Sequence, residues 1–107
     1  MSSSDSLTQL RKRLRTFAED REWQQFHTAK NLTMAIAGEA GELAAVLQWA
    51  APEEDLGPYL AELEEEVADV LIYLVRLCDV ADIDPIAAAD KKVKRNAQRF
   101  PPTLLAQ

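Results

Sequence analysis

Long apolar runs and glycine are scarce in this sequence, which argues against a membrane-spanning protein and against a disordered chain. No stretch of about 18 uncharged apolar residues occurs, so we expect no membrane-spanning helix. The N-terminal segment MSSSDSLTQLRKRL has no apolar core after its charges, so we expect no secretory signal. Three glycines, 48% apolar residues and no low-complexity tract indicate a globular chain. Its 107 residues suit a single domain, 1–107.

Cysteine is limited to one residue, Cys78, in the apolar segment VLIYLVRLCDV. A catalytic thiol needs an activating base nearby, and none is evident in the sequence. We therefore interpret Cys78 as a small buried residue of a protein from a reducing compartment, and we expect the protein in the cytoplasm.

Positive charge is also in deficit, since the formal net charge at pH 7 is −6. Proteins that bind nucleic acid polymers are expected to present a basic surface to the phosphates, so we exclude such polymers as partners. The charges are uneven, with acids concentrated in 53–69 and bases in 11–15 and 91–99. If the fold brings these segments together, a small anion could bind between the basic side chains and acidic side chains that carry a metal ion.

Strand-like alternation of useful length is absent, whereas four segments have helical periodicity. The predicted helices cover 5–20, 30–50, 58–79 and 85–100. Ser4 or Asp5 is expected to cap the first helix, and the second is expected to stop before Pro52. Asp84 is the expected N-cap of the fourth, followed by Pro85 at its first position. The sequence therefore predicts an all-α protein, a four-helix bundle.

The third predicted helix is apolar around most of its circumference. Its apolar residues are Leu63, Val67, Val70, Leu71, Leu74, Val75, Leu77 and Cys78. A small monomeric bundle rarely buries a helix on so many sides. We therefore interpret the apolar surface that the bundle cannot cover as an oligomer interface.

Two pairs of acidic residues interrupt these apolar faces. Glu39 and Glu42 lie one turn apart in GEAGEL of the second helix, Glu39 near the middle of the apolar stripe and Glu42 at its edge. Glu66 and Asp69 form a second pair on the polar strip of the third helix, a strip that also contains Glu62, Tyr73 and Arg76. Several ionised carboxylates in a low-dielectric bundle need a compensating charge. Oxygen ligands without cysteine or paired histidines favour Mg²⁺ or Mn²⁺, so the four acids are predicted metal ligands.

The same acids could instead be solvated helix-face charges paired with lysine and arginine, because E-x-x-E and E-x-x-D are each common in helices. We favour that interpretation for Glu53, Glu54 and Glu64, whereas Glu65 lies near the polar strip and could assist the site. If all the acids are solvated charges of this kind, the chain is predicted to be a non-catalytic helical oligomerisation module that no metal ion stabilises.

The motifs GEAGEL and EEEVADVLIYLV resemble the all-α nucleoside triphosphate pyrophosphatases of the MazG-like superfamily, and within it the dCTP pyrophosphatases. FAEDREWQQFHTAKNL, GEAGELAAVLQW, EEEVADVLIYLVRL and KVKRNAQRFP fit that pattern in order over nearly the whole chain. The resemblance implies an oligomeric helical bundle, commonly a homotetramer arranged as a dimer of dimers, with sites at subunit interfaces. It also implies Mg²⁺-dependent hydrolysis of a deoxynucleoside triphosphate, dCTP or modified dCTP favoured, to the monophosphate and pyrophosphate.

Site residues follow from the same resemblance. It implies Glu39, Glu42, Glu66 and Asp69 as catalytic metal ligands, with Glu39 or Glu65 as alternatives for activating the water. The implied substrate-binding residues are Trp23, His27, Trp49, Tyr73, Lys92, Asn96 and Arg99. The two tryptophans and His27 would surround the base, Tyr73 would contact the sugar and leave no room for a 2′-hydroxyl, and the basic fourth helix would reach phosphates or base. Taken alone, His27 and the tryptophans could equally be core residues.

Three departures from the family pattern bear on these expectations. Gly38 stands where broader superfamily members often have a further glutamate, which favours the dCTP branch and a smaller metal shell. Phe100 stands where some relatives have tyrosine, so a hydroxyl contact is absent there. The connection from Trp49 to Leu60 is short, so a loop that could cover the base is reduced. A general NTP or dUTP pyrophosphatase therefore remains the alternative enzyme.

Overall fold

Four α-helices make up the structure, a computed structural model that describes residues 3–102. The helices are α1 (Ser3–Asp20), α2 (Ala29–Val46), α3 (Leu60–Ala81) and α4 (Pro85–Arg99), and a 3₁₀ turn (Gly57–Tyr59) precedes α3. No strand occurs between residues 3 and 102. The all-α prediction is therefore confirmed. No helix in this part of the chain is long and apolar enough to cross a membrane.

Local side-chain chemistry sets the starts of two helices. Asp84 caps α4, because its Oδ1 accepts hydrogen bonds from the backbone N–H groups of Ile86 and Ala87 at 3.1 Å, and Pro85 follows as predicted. Thr28 caps α2 by accepting a hydrogen bond from the Asn31 N–H at 3.1 Å. Helix α1 begins at Ser3, and the predicted side-chain cap at Ser4 or Asp5 lies outside the described side chains.

The predicted end of the second helix is wrong, because α2 ends at Val46 rather than near residue 50. Pro52 has no N–H to bond the Gln48 carbonyl, its ring clashes with that carbonyl in a helix, and it disfavours helical backbone at the preceding residue. Residues 47–50 form turns instead, in which the Ala50 N–H bonds the Leu47 carbonyl at 3.0 Å. Trp49 consequently lies on a turn and not on a helix face.

Helices α2 and α3 form the principal packing pair, and α1 packs against α3. The buried apolar residues in the described range are Ala18, Leu32, Val75 and Cys78, which confirms the predicted burial of Cys78. Burial also raises the pKa of the Cys78 thiol, so this thiol is inert rather than activated. The core therefore lies where α1, α2 and α3 meet.

Much apolar surface of this chain stays uncovered. The radius of gyration is 17.1 Å, whereas a compact domain of this length is expected near 13 Å. On α3, Val67, Leu71 and Leu74 are 40–53% exposed, and on α4 Val93 is 64% exposed. Helix α4 packs only slightly against the other helices. These features agree with the predicted oligomer interface, which stays a prediction.

Candidate active site

Three of the four predicted metal ligands converge where α2 packs against α3. Glu39 of α2 and Glu66 and Asp69 of α3 are half-buried, and each offers a carboxylate oxygen within 4.8 Å of the other two. Glu42 is exposed and lies outside this group, although its charge acts on Glu66. We call Glu39, Glu66 and Asp69 the acidic cluster.

The acidic cluster is electrostatically unfavourable without a cation. Glu66 Oε2 is buried and has no hydrogen-bond partner among the described residues. Desolvation, followed by the charges of Asp69, Glu42, Glu39 and Glu65, raises the pKa of Glu66 above its usual value. An unpaired buried oxygen that faces other carboxylates fits a divalent metal ion, and an all-oxygen donor set is what hard cations take. The cluster could therefore hold a metal.

A groove of about 670 Å³ runs beside the acidic cluster. Of the predicted site residues, Trp23, His27, Asp69 and Tyr73 line it. Because Asp69 belongs both to the cluster and to the groove wall, a ligand in the groove would reach the cluster. The volume falls in the range of small-molecule sites. The groove wall also contains Leu10, Arg13, Leu14, Phe17, Ala18, Phe26 and Ile72.

Aromatic rings form one side of the groove, and a hydrogen-bonded turn positions them. Glu22 has a left-handed φ of 58°, which reverses the chain after α1, and the Trp23 N–H bonds the Ala18 carbonyl at 2.9 Å. Trp23 then meets Phe17 edge to face, with ring centroids 5.7 Å apart. Both residues remain about half exposed, at 44% for Trp23 and 46% for Phe17, and the Arg21 guanidinium already lies over the Phe17 ring, 3.4 Å from its centroid.

Phe17 and Phe26 were not predicted as groove residues. The aromatic spacing in FAEDREWQQF was the signal that could have found them. The side-chain amide of Asn31 in α2 donates a hydrogen bond to the Phe26 carbonyl at 2.9 Å, which ties this segment to α2.

His27 contacts a network of arginines around one aspartate, of which Arg76 and Asp79 are buried. Arg76 Nε lies 3.2 Å from His27 Nδ1, and Arg76 Nη1 lies 3.0 Å from Asp79 Oδ2. Arg15 Nε donates to the same carboxylate at 2.9 Å. Hydrogen bonding to Arg15, together with the charges of Arg15, Arg76 and Arg11, lowers the pKa of Asp79 against the opposing effect of burial. Burial first, and then the Arg76 charge, lower the pKa of His27.

The other predicted substrate-binding residues lie away from the groove within this chain. Trp49 is 91% exposed on the turn after α2. Lys92 and Arg99 are exposed on α4 and Asn96 is half-buried there. Helix α4 rests only slightly on its own chain, so a single copy does not bring these residues to Trp23 and His27.

Comparison with known proteins identifies a family and several relatives of this chain. Residues 27–103 match the MazG nucleotide pyrophosphohydrolase domain. Over 106 residues, 94% of this chain, the sequence is 41% identical to dCTP pyrophosphatase 1 of Bos taurus and 40% identical to that of Homo sapiens. The chain spans 62% of the length of these curated relatives. The crystal structure of a pyrophosphatase from Archaeoglobus fulgidus DSM 4304 superposes with a TM-score of 0.86 and 40% identity, covering 91% of this chain and 94% of that one.

Proposed function

The chain belongs to the MazG nucleotide pyrophosphohydrolase family, and on that basis we propose that it hydrolyses deoxynucleoside triphosphates, dCTP or modified dCTP favoured, to the monophosphate and pyrophosphate. The observation that carries this proposal is the sharing of Asp69 between the acidic cluster and the aromatic groove. A nucleotide whose base lies in the groove would have its phosphates directed towards the cluster. The names of the dCTP pyrophosphatase relatives support the choice of base.

Glu39, Glu66 and Asp69 would hold the metal, for which we propose Mg²⁺, with Mn²⁺ as a substitute. Glu42, one turn from Glu39, is the proposed fourth ligand. Its carboxylate lies outside the acidic cluster, but its charge acts on Glu66. When bound, the metal supplies charge neutralisation on the phosphoryl oxygens and a more acidic water. Glu39 lies inside the cluster whereas Glu65 is exposed, so Glu39 is the better placed of the two to orient the attacking water.

The base and sugar would be recognised in the groove. Trp23, which is 44% exposed, would stack on the base, and His27 would offer a polar edge beside it, since the two ring centroids lie 6.3 Å apart. Tyr73 lies one turn beyond Asp69 and lines the groove, so it can contact the sugar and exclude a 2′-hydroxyl.

We propose that a second copy of the chain supplies Trp49 and the α4 residues Lys92, Asn96 and Arg99, within a homotetramer arranged as a dimer of dimers. The support is the exposed apolar surface of α3 and α4 and the loose attachment of α4. The proposed setting is cytoplasmic, where the enzyme would remove unwanted deoxynucleotides from the pool.

The first experiment incubates the purified chain with Mg²⁺ and each standard nucleoside triphosphate, together with 5-methyl-dCTP, and separates the products by chromatography. An EDTA control, an Asp69→Asn variant and a matched Glu64→Gln variant of an exposed carboxylate on the same helix accompany it. The proposal is supported if dCTP-like substrates give monophosphate and pyrophosphate. This activity should disappear with EDTA and in Asp69→Asn, and it should persist in Glu64→Gln. Broad turnover of all nucleotides would favour a general NTP pyrophosphatase. If no nucleotide is hydrolysed, the result would instead favour the non-catalytic helical oligomerisation module.

A further inference from the structure

We propose that Arg76 is a positioning residue that holds His27 in the neutral tautomer protonated on Nε2, so that His27 presents an N–H donor to an acceptor atom of the substrate base. The proposal deepens the proposed function, because it takes from it that His27 faces the base. The sequence pattern places Arg76 on the polar strip of the third helix but gives it no role.

The geometry leaves one arrangement of protons on the two side chains. The Arg76 Nε always carries hydrogen and cannot accept, so its 3.2 Å contact with His27 Nδ1 is a hydrogen bond donated by arginine. His27 Nδ1 must therefore be the unprotonated, accepting nitrogen. A neutral imidazole carries one N–H, which is then on Nε2. Partial burial first, and then the nearby guanidinium, also lower the pKa of His27, which favours the neutral ring.

Arg76 is itself held firmly enough to act in this way. Its side chain is 6% exposed, and its Nη1 donates to Asp79 Oδ2 at 3.0 Å, one turn further along α3. Arg15 of α1 donates to the same carboxylate, so Asp79 connects α1 to α3. Because this network fixes the guanidinium, the imidazole edge that meets it is also fixed.

The chemical consequence is selectivity for an acceptor on the ligand. His27 lines the groove beside Trp23 and Tyr73, and Nε2–H is the ring donor left for a ligand. Cytosine offers acceptors at O2 and N3, and a donor fixed in direction recognises such an atom better than a ring that exchanges between two tautomers. The tautomer of His27 thus becomes part of base recognition.

The direct test is the ¹⁵N spectrum of the imidazole in the whole 107-residue chain without substrate. His27 is the one histidine of the sequence, so its ring signals need no assignment. At pH 7.5 we expect one pyrrole-type nitrogen, Nε2, and one pyridine-type nitrogen, Nδ1, with well-separated shifts. In Arg76→Met the two shifts should move towards each other, because both tautomers become populated. A wild-type ring protonated on Nδ1, or a spectrum that Arg76→Met leaves unchanged, overturns the proposal.

Matched variants separate positioning from general stabilisation. Arg15→Met removes another arginine partner of Asp79 but leaves the Arg76–His27 hydrogen bond, so it should lower stability without altering the imidazole spectrum. Arg76→Lys keeps a cationic donor and should restore much of the wild-type spectrum. If Arg15→Met perturbs the ring as strongly as Arg76→Met, general loosening explains the effect and the positioning role is refuted.

Kinetics with dCTP supply the functional readout. Arg76→Met should raise KM roughly 5- to 10-fold, the effect of losing one well-directed hydrogen bond, while kcat stays within about 2-fold. In a His27→Gln background the same substitution should change KM by less than about 2-fold, because its effect passes through His27. Additive effects would overturn the proposal. Absence of dCTP turnover by the wild type would reject the proposed function alone, since the spectrum tests the tautomer without substrate.

Discussion

Replacing Asp79 by asparagine should strongly destabilise this protein, although the two side chains have nearly the same shape. The Asp79 carboxylate is 7% exposed and lies among Arg76, Arg15 and Arg11. Of these, Arg76 is 6% exposed and Arg15 is 49% exposed. The substitution therefore leaves a buried guanidinium without a counter-ion, whereas Arg15 can return to water.

The expected loss of stability follows from this difference in burial between Arg76 and Arg15. Removing one partner of a buried ion pair typically costs about 3–5 kcal/mol, mostly from the charge left behind. Asparagine retains a carbonyl that can still accept from Arg76, so we expect the lower end, about 3 kcal/mol. For a domain of this size, such a loss lowers Tm by about 12 °C. The matched control is Asp90→Asn, whose pair with Lys94 is 63% and 76% exposed and should change stability by less than about 0.5 kcal/mol.

Urea unfolding at pH 7, at one fixed protomer concentration, measures the difference between wild type and variant. The pKa of Asp79 is lowered on folding, so its stabilisation is present above the unfolded value near 3.9 and is lost as pH falls through the folded value. The difference in free energy of unfolding between wild type and Asp79→Asn should thus be constant from pH 6 to 8 and should become smaller below about pH 4. A loss at pH 7 no larger than that of Asp90→Asn would refute this reasoning.

Three further predictions concern the acidic cluster, the base and the interface. Glu66→Gln should raise the Tm of the metal-free protein by removing a desolvated charge, and should abolish any Tm increase caused by Mn²⁺ in a thermal melt; an unchanged response to Mn²⁺ would contradict the metal assignment. Trp49→Ala should raise KM for dCTP about 10-fold through lost stacking, and steady-state kinetics showing a fall in kcat alone would count against that role. Val67→Glu on the exposed face of α3 should shift sedimentation towards smaller species, and an unaltered profile would move the interface elsewhere.

Local rules accounted for most of the helix pattern. The start of α4 was predictable because Asp84 and Pro85 act within one turn, through a side-chain hydrogen bond and a fixed φ. The end of α2 was predicted too late, because the apolar pattern continues to Trp49 while the effect of Pro52 extends back towards Gln48. Backbone hydrogen bonding therefore outweighed side-chain periodicity at that boundary.

The site was predictable in part. Glu39, Glu66 and Asp69 were identified because carboxylates inside apolar faces are costly, and that cost is visible in a helical projection. Glu42 was grouped with them by spacing, yet its side chain is exposed and its carboxylate lies outside the cluster, although its charge still acts on Glu66. Which carboxylates meet depends on how α2 packs against α3, through side chains distant in sequence.

By itself, the sequence determined the helical class, the cap of α4, the burial of Cys78 and the acids available to a metal, because each depends on neighbours within one or two turns. The tertiary structure decided which acids converge, which aromatic rings form the groove and which nitrogen of His27 carries hydrogen. The last of these requires Arg76, 49 residues away along the chain, to lie within 3.2 Å of the ring. Such a contact exists only after α1, α2 and α3 have packed, because no local preference brings the two side chains together.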